Sequence, residues 1–340
     1  MGRSELTVDL AAIRHNAKRL LEALGGAQLW AVVKANGYGH GAVDVAGAAL
    51  AAGAAGLCTA TVPEALALRR ELAGARILVM GPASAAEVAQ AREARLELAV
   101  VDERPLPEGI RLHLKLDTGM GRYGLAELPA PPAQVVGLMS HLATADCDPA
   151  FAERQLERFR AATAPYAGYL RHIANSAAAL RIPAARLDAA RCGIALYGIS
   201  PFGADPAGDG LEPALSWRSE LAQVKRLEPG ESTGYGREFV AREATWIGIV
   251  PVGYADGFRR DLTGTTVLVA GEPRKAVGRI SMDSFAVELP HELPAGTPVT
   301  LIGDGISAEE HARLAGTIAY ELVSRIESRP ERASRRVVGA

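Results

Sequence analysis

Eight short apolar runs, spaced between Leu29 and Tyr197 with helix-like segments between most of them, restrict this chain to few architectures. The runs fall at 29–33, 56–61, 76–80, 97–101, 111–116, 135–140, 171–175 and 192–197. Helical patterns fill 42–54, 63–73, 84–94, 150–164 and 176–181, several opening with Pro, Ser or Asp near the first turn. Strands that alternate with helices form parallel βα units, and about eight such units close into a (β/α)8 barrel. Two connections are too short for a full helix: DERPLPEGI at 102–110 and LAELPAPPAQ at 125–134, both rich in proline. The expected fold is therefore α/β, a TIM-like barrel with two trimmed connections.

After Gly203 the pattern changes. ADPAGDGLEP reads as a linker, and β-type runs follow at 216–225, 243–250, 265–270, 274–279 and 284–289. One helix is predicted over 308–326, with Ser307 as N-cap and Glu309 and Glu310 in its first turn. The expected division is a barrel domain over 9–205 and a mostly-β C-terminal domain over 206–340, to which residues 1–8 add a strand.

A net charge of −2 gives no electrostatic case for a nucleic acid or an anionic membrane surface as partner. Cys58, Cys147 and Cys192 are few, odd in number and far apart, with no metal-type spacing. Free thiols in a reducing, cytoplasmic compartment and no metal site are the expectation. The first twenty residues carry charges throughout, so no signal peptide is visible, and no charge-free apolar stretch reaches the ~18 residues of a membrane span.

In a parallel barrel, chemistry belongs at the C-terminal ends of the strands. Lys34 closes the first run, in AVVKANGYGHG. A lysine there is either a solvated residue after a strand or a desolvated nucleophile able to form a Schiff base. The glycines around it serve the turn, or let backbone N–H groups approach an anion such as a phosphate. The segment from Lys115 to Arg122 ends the fifth run, His141 the sixth and Asn175-Ser176 the seventh, while Arg191-Cys192-Gly193-Ile194 opens the eighth. Each alone is weak; their joint placement at one barrel mouth is stronger.

AVVKANGYGHG, KLDTGMGRYG, SHLATAD, ANSAA, RCGIALYG, GYGREF, VGYADGF, GRISMD and TIAYEL resemble, in this order, the motifs of bacterial alanine racemase. That family is a group of fold-type III enzymes dependent on pyridoxal phosphate (PLP). The likeness runs from Val8 to about Arg332. It implies an enzyme that interconverts L- and D-alanine and feeds D-alanine to peptidoglycan. It implies PLP held covalently on Lys34, which also serves as the base on one face of the substrate, with Tyr235 as the base on the other. Two bases on opposite faces are what inversion requires.

The rest of the site follows from the same likeness. His141 and Arg191 match the network behind the tyrosine, where a charged neighbour would favour phenolate, and Arg191 also the arginine facing the cofactor's pyridine nitrogen. Tyr38, Asn175, Ser176, Gly193, Ile194 and Tyr320 match cofactor-binding positions. Arg122 and the backbone of Met282 match the substrate-carboxylate binders. Lys115 matches a lysine that is carbamylated and steadies Arg122, and Tyr254 and Asp283 match residues that line the site from a partner chain. Because Tyr235, Tyr254 and Met282 fall in the β domain, the implied enzyme is a head-to-tail homodimer with shared sites. A PLP carrier would need no β domain, and a decarboxylase of this fold type would need a cysteine there, where this chain has none. A racemase preferring serine or a longer amino acid is the nearest alternative.

Overall fold

The computed structural model describes residues 3–340. The chain divides into two compact units, one of residues 11–212 and one in which the residues up to Leu10 join 213–340.

The first unit is a closed barrel of eight parallel strands in sequence order: Gln28–Val32, Gly56–Thr59, Ile77–Val79, Glu97–Val100, Arg111–Lys115, Val135–Met139, Leu170–His172 and Ala189–Cys192. Most of these residues are buried, which is why the runs are largely apolar and do not alternate. Helices Ala42–Ala51, Val62–Glu71, Ala85–Glu93, Pro149–Thr163 and Ser176–Arg181 cover the barrel. No helix forms over 101–110 or 116–134, so both trimmed connections are real.

The first unit departs from expectation at its eighth strand, in the place of Arg191 and at its N-terminal helix. The eighth strand ends at Cys192 and pairs with the first (Gln28 opposite Ala189, Ala31 opposite Cys192), whereas Ile194–Tyr197 is a 3-10 turn. Gly193 and Gly198, the latter at φ 72°, break an apolar run that otherwise reads as one piece. Arg191 therefore lies near the end of that strand instead of opening it. A helix over Leu10–Leu24 precedes the barrel and has no counterpart in the sequence reading. Its apolar stripe is Leu10, Ile13, Ala17, Leu20 and Leu24, all buried at alternating spacings of three and four, a pattern its charged residues obscured. The buried Asn16 on this helix donates to the Leu196 and Glu212 carbonyls and accepts from Glu212 N–H.

The second unit is a nine-stranded sheet ordered Gln223–Leu227, Thr245–Val250, Phe285–Leu289, Glu272–Val277, Thr266–Val269, Pro298–Ile302, Leu215–Glu220, Glu5–Asp9 and Ser334–Val338. The strand Glu5–Asp9 buries Leu6 and Val8 and pairs antiparallel with Leu215–Glu220 and parallel with Ser334–Val338. Residues 216–225, expected as one strand, turn at Leu221-Ala222 into two. The helix expected over 308–326 is two short ones, Ala308–Leu314 and Ala319–Ser324, parted at Gly316 (φ 63°). Trp217, Phe258 and Phe285 form the aromatic centre of this unit, with Phe258 and Phe285 stacked at 4.3 Å.

Candidate active site

Lys34 sits two residues past the first barrel strand, at the C-terminal mouth. The chain after it coils left-handed: Ala35, Asn36, Gly37 and Tyr38 all have φ between 51° and 61°. Such backbone is costly for the three residues that carry a Cβ and persists only when neighbours over-determine it. Glu64 does much of this, accepting Ala35 N–H at 2.8 Å on one oxygen and Ala60 and Thr61 N–H on the other. Thr61 and Glu64 also form the capping box of the next helix. Burial, then the charge of Arg122, lowers the pKa of Lys34 from 10.5, so its amine is readied as a nucleophile.

Tyr38 is thrown back into the barrel by this coil and packs on Tyr197, ring centres 4.9 Å apart. Its hydroxyl lies over Gly193, where an added Cβ would stand 2.5 Å from it. Ser176, the first residue of its helix, accepts Gly193 N–H at 3.0 Å and Ala195 N–H at 3.4 Å. Asn175 caps that helix by accepting Ala178 N–H. Ile194 is buried at the start of the 3-10 turn. Two hydroxyls and the Gly193 and Ala195 N–H groups are thus gathered around one glycine, the kind of donor set that a phosphate monoester requires.

Arg191 is buried, and both of its terminal nitrogens are engaged. Nη1 meets His172 Nδ1 at 2.7 Å and the His172 carbonyl at 3.0 Å, while Nη2 donates to the Ser140 carbonyl at 2.6 Å and meets His141 Nδ1 at 3.2 Å. Burial and the charges of Arg191, Arg122, Lys115 and Lys34 push His141 well below 6.5. It is neutral, and with Nδ1 facing an arginine donor its proton sits on Nε2. Gln155 pins the same loop: Oε1 accepts Ala143 N–H at 2.8 Å, and Nε2 donates to the His141 carbonyl at 3.2 Å.

Lys115 ends its strand with its amine under the Tyr123 ring. Burial, Arg191 and Arg122 lower its pKa to about 8. The exposed Arg122 follows a loop gathered by Asp117, whose carboxylate accepts N–H from Gly119, Met120 and Gly121. Cys58 and Cys192 are buried, and desolvation pushes both thiols up to about 12, which leaves them inert. Among the described residues, no group of three or more His, Cys, Asp or Glu could hold a metal ion, and no helix is long and apolar enough to cross a membrane.

The remaining candidates lie on the second unit. Tyr235, 70% exposed, heads a turn after Gly234. Tyr254 and Met282 are also exposed, on loops clasped by Tyr254 N–H to the Ser281 carbonyl (3.1 Å) and Ala255 N–H to the Met282 carbonyl (3.0 Å). A Cβ on Gly253 would meet those two carbonyls at 2.3 and 2.4 Å. Tyr254 also lines, with Glu238 and Arg279, a cleft of about 980 Å³. Asp283 is tied to Arg332 at 2.7 Å and to Arg3, which fixes its loop. Tyr320 lies in the short helix Ala319–Ser324.

The family's sequence models decide the assignment: the alanine racemase N-terminal domain matches residues 8–201 and its C-terminal domain residues 214–334. The chain belongs to the alanine racemase family. It is similar to alanine racemase 1 of Bacillus subtilis, 42% identical with 96% of this chain and 91% of that protein covered. Among solved structures, alanine racemase from the D-cycloserine producer Streptomyces lavendulae superposes with a TM-score of 0.92 at 38% identity, covering 100% and 98% of the two chains. The Bacillus anthracis alanine racemase with bound L-Ala-P gives 0.89 at 35%, covering 100% and 96%. As in other alanine racemases, the cofactor called for is PLP, and the residues fit it: a desolvated lysine at the mouth, the Tyr38 and Ser176 hydroxyls gathered at a glycine that a Cβ would close off, and a buried arginine.

Sequence reasoning missed Glu64, Glu97, His113, Gln155 and His172. Only Glu64 carried a local signal, the Thr-x-x-Glu box.

Proposed function

We propose that the protein is a PLP-dependent racemase that interconverts L- and D-alanine with Lys34 and Tyr235 as its two bases. On this reading it supplies D-alanine for peptidoglycan in the cytoplasm, which is in keeping with its free thiols. The observation that carries it is Lys34, with its lowered proton affinity, at a barrel mouth shared with Tyr38, Ser176, Arg191 and Gly193.

Bound PLP would supply the electron sink that lets an α-proton leave carbon. Lys34 Nζ would hold the cofactor and take or return the proton on one face. Tyr38 and Ser176 hydroxyls, with the Gly193 N–H, would bind its phosphate. Arg191 can only donate, so it would face the pyridine nitrogen without protonating it, which keeps the electron sink weak and suppresses side reactions. Arg122 would grip the substrate carboxylate, aided by the Met282 backbone. His141 would present its Nε2–H to the phenol oxygen of Tyr235 and favour the form that accepts a proton. Lys115, about half unprotonated at pH 8, is suited to react with carbon dioxide, and its carbamate would pair with Arg122.

Complete sites would form in a homodimer, with Tyr235, Tyr254 and Met282 reaching the barrel of the partner subunit. Their exposure supports this, because large side chains at 70%, 45% and 52% exposure are suited to a second surface.

The deciding experiment incubates the PLP-loaded protein with L-alanine in heavy water. Deuterated D-alanine is expected, and Tyr235→Phe should lose most of it while keeping the cofactor. No D-alanine from the wild type would end the racemase reading, and faster turnover of serine would change its substrate.

A further inference from the structure

Four polar side chains run through the barrel interior. Glu97 begins its strand at the N-terminal end, His113 is in the middle of the next strand, His172 ends a third, and Arg191 lies near the mouth. Glu97 Oε2 meets His113 Nε2 at 2.7 Å, His113 Nδ1 meets His172 Nε2 at 2.9 Å, and His172 Nδ1 meets Arg191 Nη1 at 2.7 Å. All four are buried. Barrel interiors are ordinarily packed with branched apolar side chains, and burying a carboxylate and two imidazoles costs solvation that such packing would not.

We infer that Glu97 is a positioning residue for the reaction, acting through His113 and His172 to hold Arg191 and the His141 ring in a single pattern of donors and acceptors. The inference rests on the roles proposed above for Arg191 and His141.

The direction of every link is forced. Burial works against the Glu97 carboxylate, but hydrogen bonds from His113 and Arg76 outweigh it and hold its pKa at about 2. Burial pushes His113 below 6.5 and His172 well below it, so each ring is neutral with one proton. A carboxylate only accepts, so His113 carries its proton on Nε2. Its bare Nδ1 then takes the Nε2–H of His172, whose bare Nδ1 takes the N–H of Arg191. Shift the protons to Nδ1 and His172 faces the arginine donor to donor at 2.7 Å. Arg191 would then have to move, loosening its contacts to Ser140 and His141.

The surroundings are shaped for this line. A Cβ on Gly137 would stand 2.3 Å from His113 Nδ1. Trp30 lies parallel to His172 at 6.1 Å and edge-on to His113 at 5.7 Å, with the Arg76 guanidinium 4.7 Å over its ring. Arg76 grips Glu97 with two hydrogen bonds, and Arg111 approaches at 3.3 Å.

The test is ¹⁵N NMR of the histidine-labelled holoenzyme, with steady-state kinetics of wild type, Glu97→Gln and Glu97→Leu. Both buried rings should be protonated at Nε2 in wild type and in Glu97→Gln, which keeps an acceptor oxygen. Glu97→Leu should show mixed tautomers at His113 and His172, with kcat about ten- to a hundredfold lower and KM within about twofold of wild type. Glu97→Gln should restore both readouts. A wild-type ring protonated at Nδ1, or doubly, overturns the inference even if Glu97→Leu does not fold. So does an unchanged His172 tautomer in Glu97→Leu, or a kcat loss in Glu97→Gln equal to that in Glu97→Leu. If the wild type does not racemise alanine, the functional reading fails while the spectra still judge the relay.

Discussion

Glu64 accepts the backbone N–H of Ala35 at 2.8 Å and so ties a helix cap to the left-handed coil that follows Lys34. One carboxylate thereby serves the cap, the Ala60–Thr61 turn and the coil. Glu64→Ala should cost about 1–2 kcal/mol in denaturant unfolding, roughly the worth of a cap. It should also weaken PLP retention, because the coil holds both Lys34 and Tyr38. Equal PLP retention in Glu64→Ala and wild type, read by equilibrium dialysis, would mean the coil holds itself.

Gly193 has an ordinary φ of −108°, so its need is for space. Gly193→Ala places a methyl 2.5 Å from the Tyr38 hydroxyl and 2.9 Å from its ring carbon. Overpacking of that kind costs about 1–3 kcal/mol, and here it should fall on cofactor affinity as the tyrosine is pushed aside. PLP titration followed by absorbance checks it. Tyr38→Phe in the same background should recover part of the loss.

The barrel was legible because its strands are buried on both faces and read as continuous apolar runs. The same continuity hid the end of the eighth strand, since Ala189–Cys192 and Ile194–Tyr197 are equally buried and only Gly193 and Gly198 part them. Lys34, Arg122 and Arg191 stood out because each sits in a motif within about ten residues of chain. Glu97, His113 and His172 did not, because each meets its partner on another strand, 16 to 59 residues away in sequence. Nothing in the sequence marks Gly137, whose need for space comes from His113 lying where its side chain would be.

Lys115 makes stability depend on pH in a window set by its own titration. Its folded pKa of about 8 lies below the 10.5 of an unhindered lysine, so between these values the unfolded chain binds more protons. Stability should therefore rise with pH from about 8 to 10.5, and the cost of the buried cation should be fully present below 8. In carbon dioxide-free buffer, wild type minus Lys115→Met should follow that rise. Bicarbonate should flatten it, because a carbamate removes the cation.

Gln155 ties the helix Pro149–Thr163 to the loop carrying His141. It also reaches Thr118, whose hydroxyl meets Ser140 at 2.8 Å, so the two strand ends behind Arg122 and His141 share one anchor. Gln155→Leu fills the space but leaves the Ala143 N–H without its acceptor, a loss of about 1–3 kcal/mol for a buried donor. The loop should then loosen, freeing the His141 ring from its 3.2 Å contact with Arg191. On the proposal that His141 backs Tyr235 while Lys34 works from the other face, the two directions of proton exchange should suffer unequally. Solvent deuterium uptake from L-alanine and from D-alanine, measured separately, should show the larger drop on the tyrosine's face. Equal drops would mean Gln155 supports the barrel mouth as a whole and not the His141 loop in particular.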